Sequence, residues 1–280
     1  MRQLFKATLP VVLLGAASAP QALAADYDPP LVIDEVPQYK PVEIGSGWYL
    51  RGDIGYAVKT RSGGNPTYRS FDGTNYYDNE FASGEFGDDF SFGAGFGYHF
   101  NDMLRGDLTV ERMETDFFGS TVSAAPCPGG PVDTSCRSED GAEFEAYSVL
   151  ANAYVDLGTV VGITPYLGAG IGYTYVSWDE LNNTTYCVDG AGSCTGFVNF
   201  STPHEGERDW RFTYALMAGV SYDMTKRTKL DLGYRYMHVD GGNMFNWDAG
   251  SAAAGASGVQ GEDKGFSKHE LRVGLRFDLW

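Results

Sequence analysis

Oppositely charged residues set two positions apart carry the most evident chemistry of this chain: Arg51 and Asp53, Arg105 and Asp107, Lys229 and Asp231, Glu270 and Arg272, Arg276 and Asp278. At that spacing two side chains stand on the same face of a β-strand, where they can form ion pairs. Lys59, Glu111, Asp156, Arg211, Asp223 and Arg235 extend the set to eight basic and eight acidic groups. Charges gathered in this way need partners or water.

Catalytic chemistry has much weaker support. The chain has four histidines, His99, His204, His238 and His269. A hydrolase needs a nucleophile oriented by a base and a third group. His269 beside Glu270, Asp179-Glu180 and Glu205-Gly206-Glu207 present no such set, so no catalytic residues are expected. Residues 72–85 are rich in oxygen donors but lack an ordered calcium spacing. No metal and no cofactor are expected.

The four cysteines form two local couples, Cys127 with Cys136 and Cys187 with Cys194, each enclosing a short loop rich in Gly with Pro or Asp. Several pairings are open to four cysteines, and export favours disulfides over zinc. The local pairing is favoured, as a staple in place of an apolar core.

Export is written at the N-terminus. Arg2 and Lys6 precede the apolar run 7–19, and Ala22 and Ala24 occupy the cleavage positions of a secretory signal peptide, residues 1–24. No later segment is apolar for long enough to span a membrane as a helix. Removing Arg2 and Lys6 takes the formal charge from -17 to -19. Such an acidic chain does not suit nucleic acid as a partner. Residues 25–47, with Pro29, Pro30, Pro37 and Pro41, form a periplasmic lead-in.

The elements that position the charges follow from the period of two. In the closing strand Leu271, Val273, Leu275, Phe277 and Leu279 alternate with Glu270, Arg272, Gly274, Arg276 and Asp278. The same alternation recurs in about eight segments over residues 48–280. Connections at 60–88, 116–141, 177–209 and 240–265 are long, and those between them are short. The predicted fold is all-β: an eight-stranded antiparallel transmembrane barrel with four long extracellular loops and short periplasmic turns. Apolar faces then meet lipid, charged faces line the interior, and both termini lie on the periplasmic side. The alternative is a soluble antiparallel sandwich or lipocalin-like barrel, which would bury the apolar faces instead.

Eight strands enclose a space that side chains can fill. The interior charges therefore form either a plugging network or a narrow polar conduit. Glycines 168, 170 and 172 on the inward face relieve crowding or shape a gap. The exterior loops present a hydrated acidic surface or a site for a cation or receptor.

The run Gly47-Trp48-Tyr49-Leu50-Arg51-Gly52-Asp53-Ile54-Gly55-Tyr56, the run Gly168-Ala169-Gly170-Ile171-Gly172-Tyr173 and the closing strand together resemble the alphaproteobacterial Omp25/Omp31-like small outer-membrane barrels, within the OmpA-like group. The resemblance implies an integral protein of the Gram-negative outer membrane, structural in role, contributing to envelope integrity and surface display. Its alternatives are a narrow passive pore for small solutes or ions, and an adhesin acting through the long loops. The resemblance also implies outer-membrane lipids, lipopolysaccharide and the barrel-assembly machinery as partners. Arg272, Gly274, Phe277 and Leu279, followed by Trp280, match an assembly signal, with Trp280 one step past its usual end. Ala25 and Asp26 match the peptidoglycan-linked N-terminus of some relatives. An extracellular ligand would bind through the loops.

Overall fold

The computed structural model describes residues 47–87, 89–190 and 192–279. The signal peptide, most of the lead-in with Ala25 and Asp26, and Trp280 lie outside the described residues. The long strands are β1 (Trp48–Ser62), β2 (Phe90–His99), β3 (Leu104–Ser123), β4 (Ser135–Asp156), β5 (Ile163–Trp178), β6 (Arg208–Asp223), β7 (Thr228–Val239) and β8 (Phe266–Asp278). Each pairs antiparallel with the next, and β8 pairs with β1. The fold is of the all-β, outer-membrane barrel type. Hydrogen bonding between neighbours leaves few main-chain groups to be satisfied by solvent, which a wall in lipid requires.

Alternation decides the two faces. Leu50, Ile54, Phe92, Phe96, Ile171, Leu216, Leu271 and Leu275 point outward and are exposed, while Asp53, Arg105, Glu111, Arg235, Glu270 and Arg276 are buried. A water-soluble sheet protein has the opposite arrangement. Aromatic residues stand at both ends of the exposed band. Trp48, Tyr98, Phe100 and Tyr222 lie toward the short turns, and Tyr56, Phe90, Tyr173, Trp210 and Phe212 lie toward the long connections.

The segments expected to be loops contain regular structure. β3 and β4 are 20 and 22 residues long and stay in register from Leu104–Val155 to Ser123–Cys136. Tilted strands of that length rise about 50 Å, roughly twice the height of an apolar transmembrane band. Leu181–Asp189 pairs with the far half of β4, and Phe200–His204 pairs with Leu181–Asp189. Thr67–Phe71, Tyr76–Glu80, Gly242–Asn246 and Val259–Asp263 form a separate four-stranded sheet. The short helix Ala249–Ala253 is N-capped by Asp248.

These upper elements enclose an apolar core: Phe81, Met113, Phe117, Phe144, Leu150, Trp178, Met237, Phe245 and Phe266 are buried together. Leu150, which breaks the polar pattern of inward residues on β4, faces inward because it belongs to this core. The protein therefore reverses its polarity along the barrel axis. Ionic groups fill the part ringed by exposed apolar residues, and oily groups fill the part beyond it.

One local feature changes the expected facing. The β1–β8 register shifts between Ala57 and Lys59, a β-bulge. The inserted residue leaves both Val58 and Lys59 exposed. Lys59, assigned to the interior from strict alternation, therefore stands on the outer wall.

Candidate functional site

The charged interior is the candidate site, and three ranks of side chains fill it. In the rank nearest the short turns, the Arg51 guanidinium binds Asp53 at 2.6 Å and Asp107 at 2.7 Å, and donates to the Tyr154 hydroxyl at 2.8 Å. Asn152 donates to Asp107 at 2.8 Å, and the Tyr49 hydroxyl donates to the same carboxylate at 3.1 Å. Arg105 meets Asp156 at 3.2 Å and lies 4.0 Å from the Tyr154 ring centroid and 4.9 Å from that of Tyr166. Stacking on two rings gives this buried cation a partner for the guanidinium face that no carboxylate covers. Arg276 donates to Ser221 at 3.1 Å and meets Asp231 at 3.4 Å.

The middle rank is a linked set. Arg235 lies between Glu111 and Glu270, the latter at 2.6 Å. Arg272 binds Glu111 at 2.8 Å and reaches Asp53 at 3.7 Å, joining the two ranks. Ser91 donates to Glu270. At the upper boundary Lys268 binds Asp89 at 2.6 Å, beneath the apolar core. Each carboxylate thus faces at least one cation, which offsets much of the cost of removing charge from water.

Glycines make room for this packing. A Cβ at Gly55 would stand 2.1 Å from Glu270 Oε1, and one at Gly168 would stand 2.5 Å from the Tyr154 ring. The glycines of β5 therefore relieve crowding. A cavity of about 20 Å³ lies between Arg51, Asp53, Tyr154, Asp231, Arg235 and Arg272, near the minimum for one water.

The structure brings together most of the expected interior residues: Arg51, Asp53, Arg105, Asp107, Glu111, Asp156, Asp231, Arg235, Glu270, Arg272 and Arg276. Asp223 and Lys229 pair at 2.5 Å but sit at the rim, with side chains 33% and 25% exposed. Asp278 is also at the rim and meets His99 at 3.4 Å. Arg211 is buried apart from the main set, between Asp209 at 2.7 Å and Asp263 at 2.6 Å. Lys59 is outside altogether. Of the assembly-signal residues, Arg272 faces in and Phe277 faces out.

Sequence reasoning missed Lys268, Asp89, Tyr49, Tyr154 and Tyr166 as members of the site. The signal for two was present, because Lys268-x-Glu270-x-Arg272 and Asp89-x-Ser91 continue the inward alternation. Tyr49 and Tyr154 continue it as well, beside Arg51 and between Asn152 and Asp156, but alternation gives only their face, and their hydroxyls find partners only when the wall is closed around them.

Both disulfides are local: Cys127–Cys136 and Cys187–Cys194, with Cα separations of 4.8 and 5.5 Å. They lie side by side, because Cys136 and Cys187 are paired across strands. Among the described residues, no group of three or more His, Cys, Asp or Glu could hold a metal ion. On the outer wall His238 Nδ1 lies 2.9 Å from Ser267 Oγ, and His238 Nε2 lies 3.4 Å from Asp240 Oδ1. Ser267 is nevertheless laddered to strands on both sides, opposite His238 and Arg61.

The sequence model of a family described as "Outer membrane protein beta-barrel domain" matches residues 9–277. An uncharacterised protein of Brucella suis is 40% identical, over 94% of each chain. A putative adhesin of Rickettsia bellii is 26% identical, over 83% of this chain and 88% of its own. Among solved structures, Neisserial surface protein A is 21% identical, with a TM-score of 0.45, over 84% of this chain and 98% of its own.

Proposed function

The chain belongs to the outer membrane protein beta-barrel domain family, and from that premise we propose that it is a structural, non-enzymatic component of the outer membrane, Omp25/Omp31-like, which stiffens the envelope and displays a β-structured platform on its outer side. In this reading the barrel is closed by eight strands, both termini are periplasmic, and the four long connections project outward. The observation that carries it is the inverted burial: Ile54, Phe92, Ile171 and Leu275 exposed on one face, Arg235, Glu270, Arg276 and Asp53 buried on the other. In lipid the exposed face is favourably solvated, and each such side chain would cost about 2 kcal/mol if left in water.

A passive pore is the weaker reading. The cavity among Arg51, Tyr154, Arg235 and Arg272 in the ion-paired ranks holds only about 20 Å³, and the apolar core containing Trp178 and Phe117 stands above them. Display or adhesion through the outer platform is favoured by the similarity to the Rickettsia bellii putative adhesin. Residues 25–47 would tether the barrel to the cell wall, with Ala25-Asp26 as the link to peptidoglycan. Lipids, lipopolysaccharide and the assembly machinery are the partners that this placement entails.

Planar-bilayer recording with the refolded mature chain tests the role. The expected result is no steady conductance for the wild type. A reproducible current abolished or altered by Arg51→Ala or Arg276→Ala would establish the pore instead. Muropeptide analysis tests the tether: a free Ala25 or Asp26 amino terminus on all of the protein would refute the covalent link.

A further inference from the structure

We propose that the outer wall of β8 and β1, just beyond the apolar band, holds a binding site for a phosphorylated acyl lipid, with Lys59 and Arg61 as its cationic centre. The proposal rests on the membrane reading above and assigns that surface a specific ligand class.

Cross-strand registers define the site. Tyr214 pairs with His238, His238 with Ser267, and Ser267 with Arg61, forming one row across β6, β7, β8 and β1. The adjacent row runs Leu216, Tyr236, His269, Lys59. The next, Ala218, Tyr234, Leu271, Tyr56, enters the apolar band. Within three rows the wall passes from oily side chains through phenols and imidazoles to two cations. An amphiphile lying along it would place acyl chains against Leu271, Val58 and Tyr56 and its head group beside Lys59 and Arg61.

Charge selects a phosphate head group. Neither Lys59 nor Arg61 has an ion-pair partner among the described residues, although the chain carries a net charge of -17. Asp240 is a neighbouring carboxylate, with Oδ1 3.4 Å from His238 Nε2. The β3–β4 wall is a useful contrast. There Arg112 meets both Glu114, at 2.8 Å, and Glu145, so its charge is already neutralised. Ser267, Tyr236 and His238 form a hydrogen-bonded group between the two walls of the site, Tyr236 to Ser267 at 3.1 Å, and can present further polar atoms to phosphate oxygens.

The bulge is an independent observation. Strict alternation would turn Lys59 toward the interior. The register shift between Ala57 and Lys59 turns it outward beside His269 instead. Bulges commonly re-aim a side chain for function. Here the one interruption in β1 puts a cation at the edge of the apolar band.

Native mass spectrometry of the full mature chain, released from phosphatidylcholine nanodiscs doped with lipid A or with dephosphorylated lipid A, tests the site. Retention of lipid A is expected to fall by about tenfold in Lys59→Gln/Arg61→Gln, and to be unchanged in Arg112→Gln. Wild-type protein is expected to prefer the phosphorylated form. Excess inorganic phosphate, which has no acyl chains, should leave the retained lipid in place. Equal retention by wild type and double variant, no preference between the two lipids, or displacement by inorganic phosphate would overturn the proposal. Insertion is read separately, from flotation with vesicles and heat-modifiable gel mobility. A wild-type chain that fails both refutes the membrane reading, whereas an inserted chain without lipid preference refutes only this site.

Discussion

Lys268 and Asp89 form a 2.6 Å ion pair with neither side chain exposed, at the level where the charged interior gives way to the apolar core. Lys268 Nζ also lies 3.5 Å from Met113 Sδ and 3.8 Å from Glu270. The pair therefore has one oily and one ionic neighbourhood, and its charges depend on each other.

Breaking this pair should be costly, and replacing it should not. Lys268→Met leaves Asp89 buried without its cation and is expected to destabilise the barrel by about 3–5 kcal/mol. Adding Asp89→Leu is expected to recover most of that loss, because the site adjoins Met113 and Phe266. Urea titration of protein folded into lipid vesicles measures both. Equal destabilisation by the single and double variants would show that the ionic contact itself holds the interior.

The bulge in β1 gives a labelling prediction. Cysteine at Lys59→Cys is expected to react with a membrane-impermeant maleimide applied from the side of the long connections. Cysteine at Arg235→Cys, buried between Glu111 and Glu270, is expected to remain unlabelled. Absence of labelling at both positions would mean that strict alternation holds in β1 and the bulge is absent.

The turn between β4 and β5 contains avoidable strain. Gly158 and Gly162 have φ of 98° and 76°, which glycine accepts, but Val161 has φ of 52° and is exposed. A β-branched residue in the left-handed region costs about 1–2 kcal/mol. Val161→Gly is accordingly expected to raise stability by roughly 1 kcal/mol, somewhat offset by chain entropy. A lowered urea midpoint for the variant would contradict this.

Acid should loosen the outermost hairpin before the barrel. Backbone donation from Asn75, the Tyr77 hydroxyl and backbone donation from Thr74 bring the Asp72 carboxyl down from 3.8 to about 2. Its folded value is below its unfolded value, so its contribution is present above about pH 4 and is lost as pH falls through about 2. Hydrogen-exchange protection in Thr67–Phe71 and Tyr76–Glu80, taken relative to the intrinsic rate at each pH, is expected to fall over that window and to hold steady there in Asp72→Asn. Equal acid sensitivity in the variant would place the effect elsewhere.

Much of the candidate site was legible because β-strands have a period of two. Arg51 and Asp53, or Glu270 and Arg272, share a face whatever the barrel does next, and a barrel with outward Phe96 and Leu275 needs lipid on that side. Lys59 was illegible because one extra residue, Val58, immediately before it reverses every later assignment on the strand. Asp223, Lys229 and Asp278 have the right alternation but lie at strand ends, and distance from the rim is not a property of periodicity. The upper core escaped notice for a different reason. Phe117, Phe144 and Trp178 alternate with Asp116, Glu143 and Ser177 in segments whose Gly, Asn and Asp content resembles loop sequence.

By itself, the sequence determined which face of most strands is oily and that opposite charges would be enclosed together, since these follow from local spacing and side-chain transfer energies. Only the tertiary structure decided which cation meets which carboxylate, that Lys59 and Arg61 stand on the outer wall, and that Trp178 and Phe266 close the interior above Lys268. Those outcomes depend on inter-strand register and on the space left by neighbouring side chains, quantities that exist only once all the strands are paired.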